Sequence, residues 1–289
     1  MFDFITVVFQ VELPLLEIQA RSLDLYVPPA DVNQITVVVN DNDYVAELVN
    51  PEWWGQHSTK VVIKTTSEYD LLGTGWESQQ LLKLLEASQS KTTWAFVLDA
   101  KTWFIKEFNQ AKLFSQSGKP WSGSVPGKPD VFVEARAFVE NYYNIKMPEI
   151  VGPNGVPFMF HTETVREMIN EIPNFVKFFE TNVRGPNFLT EFFLYSGFVT
   201  KKYGNINELY GTSHTYLYPM NVATTEADNF AELFNKIKKH QAVLTASIHR
   251  GVYSKISHEN LLTWVKFLQE RNLINNELET INLLNTYIK

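Results

Sequence analysis

Thr93-Trp94-Ala95-Phe96-Val97-Leu98-Asp99-Ala100-Lys101 is the stretch that decides the fold. Its first six residues are apolar or β-branched with no helical spacing, the pattern of a strand buried on both faces. Asp99 then stands where that strand leaves the core. A carboxylate left unpaired there is costly, so it meets a cation, a metal or hydrogen-bond donors. Asp99 therefore either caps the next turn or faces a ligand.

Three similar strands precede it. Phe4 to Phe9 is β-branched and aromatic, Ile35 to Val39 ends in the polar cluster Asn40-Asp41-Asn42-Asp43, and Lys60 to Lys64 is the third. Amphipathic segments separate them. Pro14 suits the first turn of a helix whose stripe is Leu15, Leu16, Ala20 and Leu23, stopped by Pro28-Pro29. The Gly73-Thr74-Gly75 turn precedes a second helix over Ser78 to Ala87, on which Gln79 and Lys83 share a face. This alternation predicts an α/β fold: a mixed, mainly parallel sheet flanked by helices, with a helical C-terminal part. Ligands of such sheets collect at the carboxyl ends of the strands, which draws attention to Asn40–Asp43 and Asp99.

Downstream of Lys101 the pattern changes. Residues 115–130 hold Gly118, Pro120, Gly123, Pro126, Gly127 and Pro129, a loop with Trp121 in it. Helices are expected over Thr164 to Asn182 with a break at Pro173, and over Phe188 to Tyr203. Others are expected over Phe230 to Ile237, Leu261 to Leu273 (capped by Ser257) and Leu278 to Ile288. Ala242 to Ile248 is a late strand candidate, followed by His249-Arg250. No boundary divides the chain, so residues 1–289 are read as a single domain: 1–110, 111–255 and a C-terminal helical part over 256–289.

Composition narrows the function. The 289 residues are 45% hydrophobic and contain no Cys, which excludes a disulfide framework or a thiolate metal site. A net charge of -7 argues against nucleic acid or an anionic membrane as partner, and no run is long enough for a membrane span. A cytoplasmic location suits this usage. Gly-x-Gly-x-x-Gly after the first strand, Gly-x-x-x-x-Gly-Lys-Ser/Thr and Gly-x-Ser-x-Gly are all missing from the sequence, which disfavours a Rossmann dehydrogenase, a P-loop NTPase and an α/β-hydrolase.

Two more constellations carry chemistry. Glu191 lies among Phe188, Phe192, Phe193 and Tyr195. Apolar neighbours raise a carboxylate's pKa and suit it to general-base work, while the plainer role is anchoring a helix N-terminus. In His249-Arg250, the arginine fork fits a phosphate. Trp53, Trp54, Trp76, Trp103 and Trp121 are core filling or sugar platforms, Trp121 being the one in a polar loop.

The succession of strand, helix, Asn-Asp strand end, strand, Gly-Trp-Glu-Ser-Gln-Gln helix and Val-Leu-Asp-Ala-Lys resembles the nucleotide-binding half of GT-A glycosyltransferases. It is similar in particular to a bacterial and phage group of glycosyltransferase-like proteins. That resemblance makes 1–110 the nucleotide-binding half and 111–255 the acceptor side. It implies a nucleotide-diphosphate-sugar donor and a glycan or other hydroxyl acceptor. Asp99 matches the first carboxylate of the Asp-x-Asp motif, which in that family holds Mn²⁺ or Mg²⁺ against the donor diphosphate. Lys101 stands at the second. Lys101 then contacts the diphosphate itself, faces solvent or pairs with Glu107, and the expected cofactor is none, or weakly bound metal on Asp99 and His249. The resemblance also assigns Arg21, Asp41, Asp43, Gln79, Lys83, His249 and Arg250 to the donor and His161, with Trp121, to the acceptor. It makes Glu191 the base if transfer inverts configuration. Arg21, Gln79 and Lys83 have solvated helix faces as their alternative. Asp99, Lys101, Glu191 and His249 are expected to converge on one cleft, unless the fold persists as a binding module without catalysis.

Overall fold

The computed structural model describes residues 1–71, 75–121, 133–147, 156–211, 220–222, 234, 237, 243–248, 252, 255–276 and 281. Strands β1 (Phe2–Val8), β2 (Val32–Val39), β3 (Val61–Thr65) and β4 (Trp94–Asp99) fall where the apolar runs predict them. With β6 (Phe158–His161) they form one sheet in the order β3-β2-β1-β4-β6. β1 pairs in parallel with β2 and β4, β2 with β3, while β6 closes the edge antiparallel to β4. The mixed, mainly parallel sheet flanked by helices is thus the observed architecture.

A second sheet joins β5 (Thr102–Phe104), β8 (Thr245–Ile248) and β7 (Met220–Val222) in the order β5-β8-β7; β8 falls within the late strand expected over Ala242 to Ile248, while β5 and β7 were not foreseen. Three-residue strands carry too little periodicity to be read from sequence. β5 is tied to the main sheet by an aromatic cluster. The Phe96 ring lies 5.2 Å from Phe4, 5.9 Å from Phe104 and 6.2 Å from Phe108.

Strand alternation sorts the two faces. Phe96 and Leu98 turn to a core that includes Leu16, Ala20 and Leu23 of α1 (Leu13–Tyr26). Ala95 and Val97 turn to a core shared with α2 (Trp76–Gln89), α4 (Val133–Tyr143), α5 (Thr162–Glu171), α6 (Phe175–Val183) and α7 (Glu191–Tyr203). Fully burying one such apolar side chain stabilises the fold by about 1.5–3 kcal/mol. The short α3 (Gln110–Leu113) follows β5, and α8 (His258–Gln269) lies near the end of the chain.

Helix boundaries follow local chemistry. Pro173 separates α5 from α6 as expected, with Asn174 in the left-handed region at φ 51°. Ser257 caps α8, its hydroxyl accepting from Asn260 N at 3.2 Å. The aromatic helix expected from Phe188 begins instead at Glu191. Phe188 is left-handed at φ 43°, and the Thr190 hydroxyl caps the helix by accepting from Phe193 N at 3.3 Å. α4 was not foreseen. It crosses α7 at Gly197, where a Cβ would fall 2.1 Å from Val139 Cγ1, so only glycine permits the approach. The helices expected over 230–237 and 278–288 lie almost wholly outside the described residues.

Candidate functional site

The strand order sets the place. From β1 the chain builds outward through β2 and β3, then returns to lay β4 on the other side of β1. At such a reversal the loops leaving the two neighbouring strands diverge and open a crevice at their carboxyl ends. Val7 of β1 pairs with Asp99 of β4 at that edge.

Asp99 has the strand parity of Ala95 and Val97, so its side chain leaves toward the α2/α7 face. Its Oδ1 lies 2.8 Å from Lys83 Nζ and its Oδ2 2.7 Å from Lys101 Nζ. Lys83 Nζ also reaches Glu191 Oε1 at 3.4 Å. Lys83 comes from the sheet-facing side of α2 and Glu191 from the first residue of α7. Two ammonium groups and two carboxylates thus form one buried, formally neutral chain, Lys101–Asp99–Lys83–Glu191. Its outer end is more open: the side chains of Asp99 and Lys101 are 13% and 17% exposed, against 5% and 4% for Lys83 and Glu191.

Burial and charge act in opposition here. Burial raises the Asp99 pKa, but Lys83 and Lys101 outweigh it and hold the carboxyl well below its ordinary 3.8. Lys83 resists the loss of its proton on burial because Asp99 and Glu191 face it, and its pKa rises. For Glu191 burial is the largest effect and prevails over Lys83, so its carboxyl lies above the usual 4.5. That is the direction a proton acceptor near neutrality needs.

The other residues singled out in the sequence divide between this edge and elsewhere. Gln79 is buried, its amide donating to Val7 O at 3.4 Å. Asp41 follows β2 at the same edge and accepts from Gln10 N at 3.3 Å, with Asp43 exposed beyond it. Arg21 points away: its guanidinium donates to the Leu273 carbonyl at 3.5 Å, on the α1 side of the sheet, because it faces the C-terminal segment packed there. His161 is also remote. It pairs with Trp94 at the far end of β4, its ring tilted against the Trp94 ring at 4.9 Å, and shares a hydrogen bond with Thr164 Oγ1 at 2.8 Å. Trp121 bridges to Gly211, and the adjoining Phe114 and Tyr210 rings both meet Trp94, again the far end. Lys101 bonds Asp99, and the solvated-face alternative for Lys83 fails because Lys83 is buried. His249 and Arg250 lie outside the described residues.

Gln19 escaped the sequence reading, and Gln80, which the resemblance places with Gln79 and Lys83 on the helix before the motif strand, was given no role of its own. Gln19, fully buried on α1, approaches Asp99 from the opposite face. Its amide donates to Asp99 O at 2.6 Å and Thr102 O at 2.9 Å and accepts from Thr6 Oγ1 at 2.7 Å, which fixes the turn carrying Lys101. The available signal was a polar residue one turn from both Leu15 and Leu23, inside an apolar stripe. Gln80 of α2 is buried, and neither its Nε2 nor its Oε1 has a hydrogen-bond partner.

A divalent ion suits this donor set poorly. Both oxygens of Asp99 are held by ammonium groups, and one of these, Lys101, occupies the position of a second carboxylate. Among the described residues no three His, Asp or Glu side chains group as metal ligands. No described helix is long and apolar enough to cross a membrane.

No curated protein matches the sequence. Among solved structures, the chain is similar to the galactosyltransferase LgtC in complex with donor and acceptor sugar analogs, at 10% identity over 96% of this chain and 99% of that one, with a TM-score of 0.46. It is similar to the bifunctional glycosyltransferase WbbM at 11% identity and a TM-score of 0.44, over 85% of this chain but only 45% of that one. Mouse xyloside xylosyltransferase 1 matches at 11% identity over 85% of this chain and 97% of that one, TM-score 0.41. A family model matches residues 10–249, most of the sequence, and the chain belongs to that family, the family of unknown function DUF6492.

Proposed function

We propose that the chain transfers a sugar from a nucleotide-diphosphate donor to a hydroxyl acceptor, as a GT-A-type glycosyltransferase whose donor binding does not depend on a divalent metal. The observation that carries the reading is the Lys101–Asp99–Lys83–Glu191 chain at the carboxyl-end crevice between β1 and β4. The Val-Leu-Asp-Ala-Lys resemblance supports it.

In this reading the donor diphosphate approaches the open end of the cluster. Lys101 turns from Asp99 to the phosphate oxygens and offsets the charge that builds on the leaving diphosphate. Asp99 keeps Lys83 as its counter-charge and orients the donor ribose or sugar. Asp41, Asp43 and Gln79 border the nucleotide, with His249 and Arg250 assigned to the diphosphate. If transfer inverts, Glu191 takes the acceptor hydroxyl proton as that oxygen bonds the anomeric carbon and the diphosphate departs with its bonding pair. His161 and Trp121 lie too near the Trp94 end to share this crevice, so they are left out of the acceptor site.

A thermal-shift screen of nucleotide-sugars in EDTA tests the reading, because a ligand bound only by the native state raises its melting temperature. A shift that survives chelation and shrinks in Lys101→Ala is expected. Tight Mn²⁺ binding by the unliganded protein, or donor affinity unchanged in Lys101→Ala, would overturn the metal-free assignment. Full neutralisation of Asp99 by two lysines favours a second reading, a nucleotide- or glycan-binding module without turnover. Donor hydrolysis in EDTA separates the two.

A further inference from the structure

A run of three side chains on α2 leads from the surface to the ion cluster. Trp76, Gln80 and Lys83 are spaced i, i+4, i+7, which aligns them on one side of the helix over ~10.5 Å. Trp76 is 49% exposed, Gln80 2% and Lys83 4%. The segment before α7 lies opposite both ends of the run. Arg184 Nη2 meets Glu77 Oε2 at 2.7 Å at the outer end, and Glu191 meets Lys83 at the inner end. Between them Phe188 is half exposed and held at φ 43°, a conformation that side chains other than Gly and Asn rarely adopt.

Several buried polar atoms of the described residues lack a partner, and Gln80 stands out among them because both ends of its amide do. Its carboxamide has two N–H donors and two acceptor lone pairs, and none of them is paired. A buried amide left in that state is costly, and such groups point to a partner that arrives from outside the chain. A phosphate brings only acceptors and would leave Oε1 bare. A hydroxyl both donates and accepts, and a sugar presents several on one ring with an apolar C–H face beside them.

We propose that the seam between the Trp76–Gln80 side of α2 and the 184–190 segment is a sugar subsite. Gln80 pairs with ring hydroxyls, Trp76 or Phe188 covers the C–H face, and the Lys83–Glu191 pair sits at its inner end. The proposal rests on the transfer reading above. Gln80 is 2% exposed in the ligand-free chain, so a sugar reaches its amide only if the 184–190 segment gives way. The hydroxyls come from the donor sugar or from an acceptor glycan, which are one chemistry from two sources.

Melting curves of the wild type, Gln80→Leu and Gln80→Met test it against three probe sets: UDP, GDP, ADP and CDP alone, each as its glucose ester, and the methyl glycosides of glucose, galactose and mannose. Without ligand, at least one variant should melt at or above the wild type, since an unpaired buried amide has gone. With ligand, removing the carboxamide should weaken a sugar-bearing probe roughly tenfold and leave the bare diphosphates unchanged. A loss confined to the glucose esters assigns the subsite to the donor, and one seen with methyl glycosides assigns it to the acceptor. Ligand-free melting several degrees lower in both variants would mean the amide has a partner within the chain and would overturn the proposal. Equal binding of sugar probes by wild type and variants would remove the subsite alone. A wild type that answers to no probe removes the transfer reading and the subsite together.

Discussion

Asp3 and Asp99 sit at opposite ends of neighbouring strands in the same sheet, and the protein satisfies them in unlike ways. Asp3, near the start of β1, is 4% exposed. It accepts from Lys91 N at 2.8 Å, Thr92 N at 3.3 Å, Asn33 Nδ2 at 2.6 Å and the Ser90 hydroxyl. Apart from the Asn33 and Ser90 side chains, these donors are backbone groups of the turn entering β4, fixed in place by the chain itself. Asp99 is met by ammonium groups on flexible stems, and Lys101 is partly exposed. The first arrangement closes a turn permanently. The second holds a charge in a form that an incoming anion can exchange. A buried carboxylate is therefore structural or functional according to whether its partners can leave.

Removing the shared cation should have the largest effect. Lys83→Met strands two buried carboxylates, and loss of one partner from a buried pair costs about 3–5 kcal/mol. Urea unfolding at pH 8 should show that loss and a smaller one at pH 5, where a stranded carboxylate takes up a proton. Equal losses at both pH values would mean that Asp99 and Glu191 do not depend on Lys83. Next is Asp3→Ala, expected to destabilise by about 2–3 kcal/mol through the donors it leaves unpaired. A loss below that of an ordinary surface change would dissolve the contrast between the two ends.

The smallest effect is a slope. Glu191 has a folded pKa above its ordinary 4.5, so between 4.5 and that raised value the folded state binds more proton than the unfolded state does. Stability from this group is present below 4.5 and is lost as pH rises through the raised value, by at most about 1.4 kcal/mol per pH unit. Asp99 runs the other way: its contribution is present above 3.8 and is lost as pH falls toward its depressed folded value. Glu191→Gln should flatten the descending limb and leave the acid limb intact. An unchanged descending limb would assign it to another group.

The strands carrying the site were legible because continuous apolar runs have one stable use in an alternating chain, as Trp94–Asp99 and Phe2–Val8 illustrate. Asp99 was legible as the residue at which such a run meets the crevice. Lys83 could be placed on a helix face but not given a partner, since Glu191 is brought to it by an α2–α7 contact across 108 residues of sequence. The distance of His161 from Asp99 was hidden for a related reason. The antiparallel pairing of β6 reverses that strand, so His161 meets Trp94 and not the Asp99 end. Gln19 was missed although its place in the apolar stripe marks it as buried, and neither it nor Gln80 could be given a partner, because helical spacing does not say which carbonyl or ligand an amide meets.

Gln19 has a consequence for how the chain assembles. Its amide joins Thr6 on β1 to the carbonyls of Asp99 and Thr102, contacts that span from 13 to 83 residues of sequence. The turn presenting Asp99 and Lys101 therefore gets its shape from the beginning of the chain as well as from its own residues. During synthesis Gln19 waits for a turn made long after it, and a fragment that starts after α1 would contain every charged member of the cluster without the brace that aims two of them.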